Sequence, residues 1–156
     1  MNTIKHYLIV FLVSMVPIIE LRGSIPIAAT MDISFLQAYP FAVIGNLVPV
    51  PFIIIFFKYF LKLFRNVPVI GKIFEKVHNK AVAKADKIKN YAFWGLYIFV
   101  AVPLPGTGAW TGSVIASILE VDSKKAFLAI ALGVITSGLI MGFISYGLWD
   151  LIVSLF

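Results

Sequence analysis

Cysteine is absent from the 156 residues. Disulfides, thiol catalysis and cysteine-ligated metals are therefore excluded. Histidine is nearly absent. His6 and His78 are the only two, too far apart in sequence for a metal-ligand spacing, so neither a metal nor another cofactor is expected. Charge is scarce as well. Asp, Glu, Lys and Arg make up 13% of the chain, where a soluble domain carries about 25%. Hydrophobic residues make up 61%, and the mean hydropathy is +1.01. These values place the chain among integral membrane proteins, and its length suits one compact unit. No pairing of a nucleophile with a base is visible, so an enzyme is not expected.

The charge that is present is unevenly placed. Lys58, Lys62, Arg65, Lys72, Lys76, Lys80, Lys84, Lys87 and Lys89 oppose only Glu75 and Asp86, giving +7 over residues 58–89 and −1 elsewhere. Beside apolar runs, such a block marks a cytoplasmic membrane surface rather than nucleic acid. Ile70, Ile73, Phe74, Val77 and Ala81 follow helical spacing, and Lys72, Lys76, Lys80 and Lys84 line another face. This pattern suits either an amphipathic helix on anionic lipid headgroups or a solvated linker that fixes orientation. No cleavable leader is expected, because the first apolar run continues into Glu20-Leu21-Arg22 without a small-residue cleavage site.

Charge-free or nearly charge-free runs cover residues 6–31, 33–57, 90–119 and 126–149. A spanning helix needs about 20 apolar residues. The second and fourth runs fit plain spans. The other two are interrupted. Pro103, Pro105, Gly106, Gly108 and Gly112 break the third, leaving arms of residues 91–102 and 109–118. At 1.5 Å per residue each arm reaches little more than about half of a 30 Å hydrocarbon core. Two short arms around a breaker predict a re-entrant hairpin. The first run has the same pattern, with an arm to Val16, a breaker over residues 17–23 containing Pro17 and Gly23, and a returning arm over 24–31 that includes Pro26.

The two halves can be laid over one another. An offset of 88 pairs Asp32 with Glu120, Ala38 with Ala126 and Gly45 with Gly133, while Pro17 meets Pro103 at an offset of 86. The expected fold is all-α integral membrane. It consists of two repeats, residues 1–64 and 91–156, joined by a basic amphipathic helix over 65–90. Each repeat is a re-entrant hairpin plus one transmembrane helix. Each crosses the membrane once, so the second copy is inverted, as in many secondary transporters.

Three stretches carry candidate chemistry. Glu20 and Arg22 are expensive deep in a bilayer. Either they lie at the interface, or they face a cavity at the hairpin tip. There Glu20 could carry a proton, and Arg22 could grip an oxyanion. In "PLPGTGAWTG", glycine-rich backbone ahead of a helix can offer N–H groups to an anion, with Thr107 and Thr111 adding hydroxyls. It lacks the lysine of a P-loop, and the alternative is a tight turn between close-packed helices. In "GNLVPVP", Asn46 is either helix–helix glue or a substrate contact, and Thr136 and Ser137 carry the same ambiguity. Trp94, Trp110 and Trp149 are expected as interfacial anchors.

"ELRGSIP" (20–26) together with "PLPGTGAWTGSVIA" (103–116) resembles the small multi-drug export protein family of prokaryotes. That family is distantly similar to the DedA/VTT superfamily, with its paired re-entrant hairpins, inverted repeats and association with lipid movement. The resemblance implies a multi-pass transporter of the cytoplasmic membrane. It carries over Glu20, Arg22, Gly23 and Pro26, and Pro105, Gly106, Thr107, Gly108, Trp110, Thr111 and Gly112. The resulting expectation is proton-coupled transport of a small polar, anionic or amphiphilic substrate. Glu20 would carry the proton, and Arg22, Asn46, Thr107, Gly108, Trp110 and Thr111 would contact substrate. The alternatives are a DedA-like translocase or scramblase for polyprenyl phosphate or phospholipid, and a non-transporting scaffold. A homodimer is expected, because so short a chain needs a partner to enclose a path.

Overall fold

The computed structural model describes residues 2–63 and 85–147. The stretch with Lys72, Lys76, Lys80 and Lys84, and Trp149, lie outside the described residues. Among the described residues every regular element is a helix: α1 (Asn2–Met15), α2 (Glu20–Thr30), α3 (Phe35–Leu47), α4 (Pro49–Leu63), α5 (Ala85–Ala101), α6 (Ala109–Ile118) and α7 (Ser123–Ser145).

Two elements are long and apolar enough to cross a membrane. α3 and α4 meet at Val48 and run together over Phe35–Leu63, 29 residues, and α7 has 23. Pro49 opens α4 at the first helical position, where no intrahelical N–H bond is lost. Asp122 caps α7 by accepting the N–H groups of Lys124 and Lys125, both at 3.1 Å. The remaining apolar helices are short. α1 has 14 residues and α6 has 10, about 21 Å and 15 Å of helix.

The returning arms end alike in the two halves. Asp32 (φ 55°) and Glu120 (φ 52°) are both left-handed, and 120 − 32 = 88. Beyond each, an N–H reaches back over the last turn: Ile33 to the Ala28 carbonyl at 3.2 Å, and Val121 to the Ala116 carbonyl at 3.0 Å. This 6→1 closure satisfies carbonyls at a helix end. α3 and α7 each begin three residues later, at Phe35 and Ser123. The two turns lie against the far ends of the opposite long helices. Lys58 of α4 donates to the Val121 carbonyl at 2.6 Å and to Ser123 Oγ at 2.9 Å, and Tyr146 beyond α7 donates to the Ile33 carbonyl at 2.9 Å.

α1 packs on α2 and α3, α5 on α7, α4 on α6, and α2 on α7. Small residues make up much of the interior: Ala38, Ala42, Ala109, Ala116, Ala126 and Ala129 are fully buried, beside Leu21, Ile25, Ile54 and Ile130. Large apolar side chains such as Leu36, Phe52, Phe56 and Ile144 point outwards. Helices in lipid gain nothing by hiding leucine, so small residues that bring backbones together form the contacts. At Gly45 a Cβ would lie 2.3 Å from the Phe11 carbonyl oxygen, which fixes the close approach of α1 and α3.

The break in the first half is shorter than the sequence suggests. It covers residues 16–19, and α2 already begins at Glu20. Left-handed Ile18 (φ 78°) and Glu20 (φ 51°) turn the chain over within that span. Gly23 and Pro26 therefore lie inside α2 rather than in the break. Proline removes one intrahelical bond, which helices packed in a membrane protein tolerate. Gly112 likewise lies inside α6, where a Cβ would stand 2.7 Å from Val100 Cγ2; it is a packing residue, not a breaker. Pro17, Pro103, Pro105 and Gly106 do lie in the breaks, Gly106 with φ 82°.

Candidate functional site

Each break leaves helix ends without intrahelical partners. The last carbonyls of α1 and α5 and the first N–H groups of α6 have none of their own. Buried groups of this kind need partners, and side chains of the opposite half supply several of them. The two breaks lie together, and each half serves the other. Glu20 Oε1 accepts the Trp110 N–H at 3.0 Å. An acid thus sits at the N-terminus of α6, where the helix dipole favours negative charge. Arg22 does the reverse at the C-terminus of α5. It donates to the carbonyls of Val100 and Val102, each at 3.3 Å, and to that of Leu104. In return, Trp110 Nε1 donates to the Met15 carbonyl at the end of α1, at 3.1 Å.

Glu20 and Arg22 therefore reach different ends of one broken element. Two residues apart on a helix they do not face each other, although their opposite charges still attract. Gly108 makes room for the contact: a Cβ there would lie 1.9 Å from Glu20 Oε2. Its φ of 166° is ordinary extended backbone, so close approach alone demands glycine.

Two spaces meet at Glu20 and Arg22. One is an open cleft of about 460 Å³ between the breaks, lined by both residues and by Pro17, Gly23, Pro103, Pro105, Gly106, Thr107, Trp110 and Thr111, with exposed Ile18 and Leu104 at its rim. The other is a void too narrow for a water molecule, lined by Glu20, Arg22, Asn46, Val100, Gly108, Ala109, Val134 and Ser137. Glu20 itself is buried.

The structure thus divides the expected site residues. Glu20, Arg22, Thr107, Trp110 and Thr111 reach the cleft, whereas Asn46 and Gly108 lie behind it on the void. The Thr107 hydroxyl is engaged within its own break, bonding the carbonyls of Val102 and Leu104, both at 2.9 Å. Trp110 binds the opposite half through its indole N–H. Nothing in the residue pattern singles out the Met15 carbonyl as a partner. Nor does it separate Ser137 from Thr136, whose hydroxyl bonds the Leu132 carbonyl of its own helix. No group of His, Cys, Asp or Glu able to hold a metal occurs among the described residues.

Among the described residues, two long apolar helices and paired breaks closed by side-chain caps point to an α-helical membrane protein. The profile of the small multi-drug export protein family, named for a proposed activity, matches residues 20–140, and the chain belongs to this family. That family is described by export, not by catalysis. No curated protein and no solved structure matches the chain.

Proposed function

We propose that the protein is a proton-coupled transporter of the cytoplasmic membrane of a prokaryote, built from two inverted repeats, each a re-entrant hairpin plus a spanning helix. The observation that carries this reading is the place of Glu20. A buried carboxylate forms one wall of an open cleft at the meeting point of two broken helical elements. Intramembrane acids facing a cavity mark ion and proton pathways, and discontinuous helices meeting at mid-depth form transporter sites. The recurring turns at Asp32 and Glu120 favour the repeat. The contact of Lys58 with Val121 and Ser123 favours the topology, because it sets that turn beside the end of α4 that enters the basic stretch.

Arg22 is a positioning residue in this reading, since its guanidinium already serves carbonyl groups of the opposite break. Thr111 and the exposed faces of the two breaks are left for substrate. The cleft joins a polar floor to the apolar rim of Ile18 and Leu104, which suits an amphiphile and keeps lipid translocation as the second reading. The test is flux in proteoliposomes under an imposed pH gradient, with ethidium and a short-chain phosphatidic acid as probes. Glu20→Gln is expected to abolish the response to the gradient. A variant with an unaltered pH profile would show that Glu20 is not the carrier.

A further inference from the structure

Among the described residues two buried side-chain atoms have no hydrogen-bond partner, Asn46 Oδ1 and Ser137 Oγ. Both residues are 3% exposed. They come from different long helices, α3 and α7, and both line the narrow void behind Glu20. A buried acceptor without a donor is costly, and each such case in a folded protein calls for a reason. Here the two converge on one place, and the group that closes the void on its other side is a carboxylate.

The void is too narrow for water, so no bridging molecule fits between them. A carboxyl O–H needs no additional space. Ionised, a carboxylate only accepts hydrogen bonds; protonated, it gains one O–H donor. The ionised form matches the N–H groups at the start of α6, of which that of Trp110 bonds it; it gives Asn46 Oδ1 no donor, while the Ser137 hydroxyl, a donor as well as an acceptor, fits either form. The protonated form bonds those N–H groups less strongly, because they lose a charged acceptor, and it carries the donor that Asn46 Oδ1 lacks. Arg22 is the one charged group that lines the void with Glu20. α3, α6 and α7 face it with Asn46, backbone and Ser137, none of which titrates.

We propose that the single O–H of protonated Glu20 is shared by Asn46 Oδ1 and Ser137 Oγ, the two unpartnered oxygens that line the void with it. A proton entering from the cleft adds to the carboxylate, and the new O–H turns from the start of α6 towards α3 and α7. Proton uptake thereby weakens the contact between the two breaks. Asn46 and Ser137 are positioning residues for the proton, not substrate ligands. This rests on the reading of Glu20 as a proton carrier.

The test does not require a substrate. Infrared difference spectra of the full-length protein in nanodiscs are recorded as the pH is lowered, and the carbonyl stretch of the protonated carboxyl is assigned by its loss in Glu20→Gln. In Ser137→Ala and in Asn46→Leu the band is expected at higher frequency, as the carboxyl loses hydrogen bonding. Proton affinity should fall roughly three- to tenfold, the equivalent of one hydrogen bond. Ser137→Ala removes one oxygen and keeps the test available should Asn46→Leu fail to fold. A band that titrates in the wild type but is unmoved in frequency and midpoint by Ser137→Ala overturns the inference and leaves the transport reading standing. A midpoint that follows sodium concentration overturns it in favour of a cation in the void. A Glu20 band that never appears overturns both readings.

Discussion

Glu20 Oε1 lies 3.0 Å from the backbone nitrogen of Trp110, 90 residues further along the chain, and the Trp110 indole reaches back to the end of α1. The two halves are thus tied by side chains that close each other's broken helices. We expect Glu20→Ala to leave N–H groups at the start of α6 uncapped and to destabilise the protein by about 1–3 kcal/mol, the cost of unsatisfied buried groups. Glu20→Gln retains an oxygen acceptor and should lose less. Unfolding in detergent compares the three proteins, and equal stability would show that the cap contributes nothing.

Arg22→Lys keeps the charge but not the planar fork. A single ammonium cannot serve the spread carbonyls of Val100, Val102 and Leu104 as a guanidinium does. A loss of about 1 kcal/mol per forfeited bond is expected. A lysine variant as stable as the wild type would reduce Arg22 to a counter-charge.

Gly108→Ala would drive a methyl group into the Glu20 carboxylate. We predict lower stability and a displaced Glu20, read as a changed emission of Trp110 in a protein whose other tryptophans are phenylalanine. Gly106 is a useful contrast. It is left-handed and has open space around its Cα, so Gly106→Asn should be well tolerated, because asparagine adopts this conformation more readily than other side chains. Equal tolerance at the two positions would contradict the close approach at Gly108.

Topology can be tested with one residue. The native chain has no cysteine, so Ser123→Cys can be labelled by an impermeant thiol reagent without background. In the proposed arrangement the turn at Val121 lies on the cytoplasmic side with the basic stretch, and labelling is expected only after the membrane is opened. Labelling in intact cells would instead mean that all four apolar regions span the bilayer.

Asp122 is the titrating cap. The Lys125 N–H, above all, holds its carboxyl below the usual range against the opposing effect of desolvation, helped by the Lys124 N–H and then by the nearby Lys58 and Lys125 charges. A depressed folded-state value means that the contribution is present above the unfolded value and is lost as pH falls through the folded one. Asp122→Asn keeps an acceptor without a titration, so its stability should vary less with pH across the acidic range. Parallel acid profiles would remove this role.

The arms 91–102 and 109–118 were legible in the sequence because prolines and glycines punctuate them. α6 begins and ends where expected, and α5 extends through the intended arm. The first break was harder to read. Its turn depends on Ile18 and Glu20 adopting left-handed angles, which neither residue type advertises. Gly23 and Gly112 suggested a break where close packing accounts for them, and Pro26 lies inside α2. Glu20 and Arg22 were conspicuous by their cost in an apolar run, but their partners were not, because backbone N–H and carbonyl groups exist at every position and only the fold selects Trp110 and Leu104. The basic stretch and its lipid contacts lie outside the described residues.

One consequence concerns voltage. Ionised Glu20 and Arg22 stand on one turn and carry no net charge together, so a field across the membrane exerts no net force on the pair. In the proposed cycle a proton leaves that turn with a single positive charge. Each elementary charge crossing the full bilayer responds by about 2.3 kcal/mol per 100 mV, and a proton that travels only to the breaks meets a fraction of that drop. An interior-negative cell would therefore favour loading from outside and release towards the cytoplasm, even with equal pH on both sides.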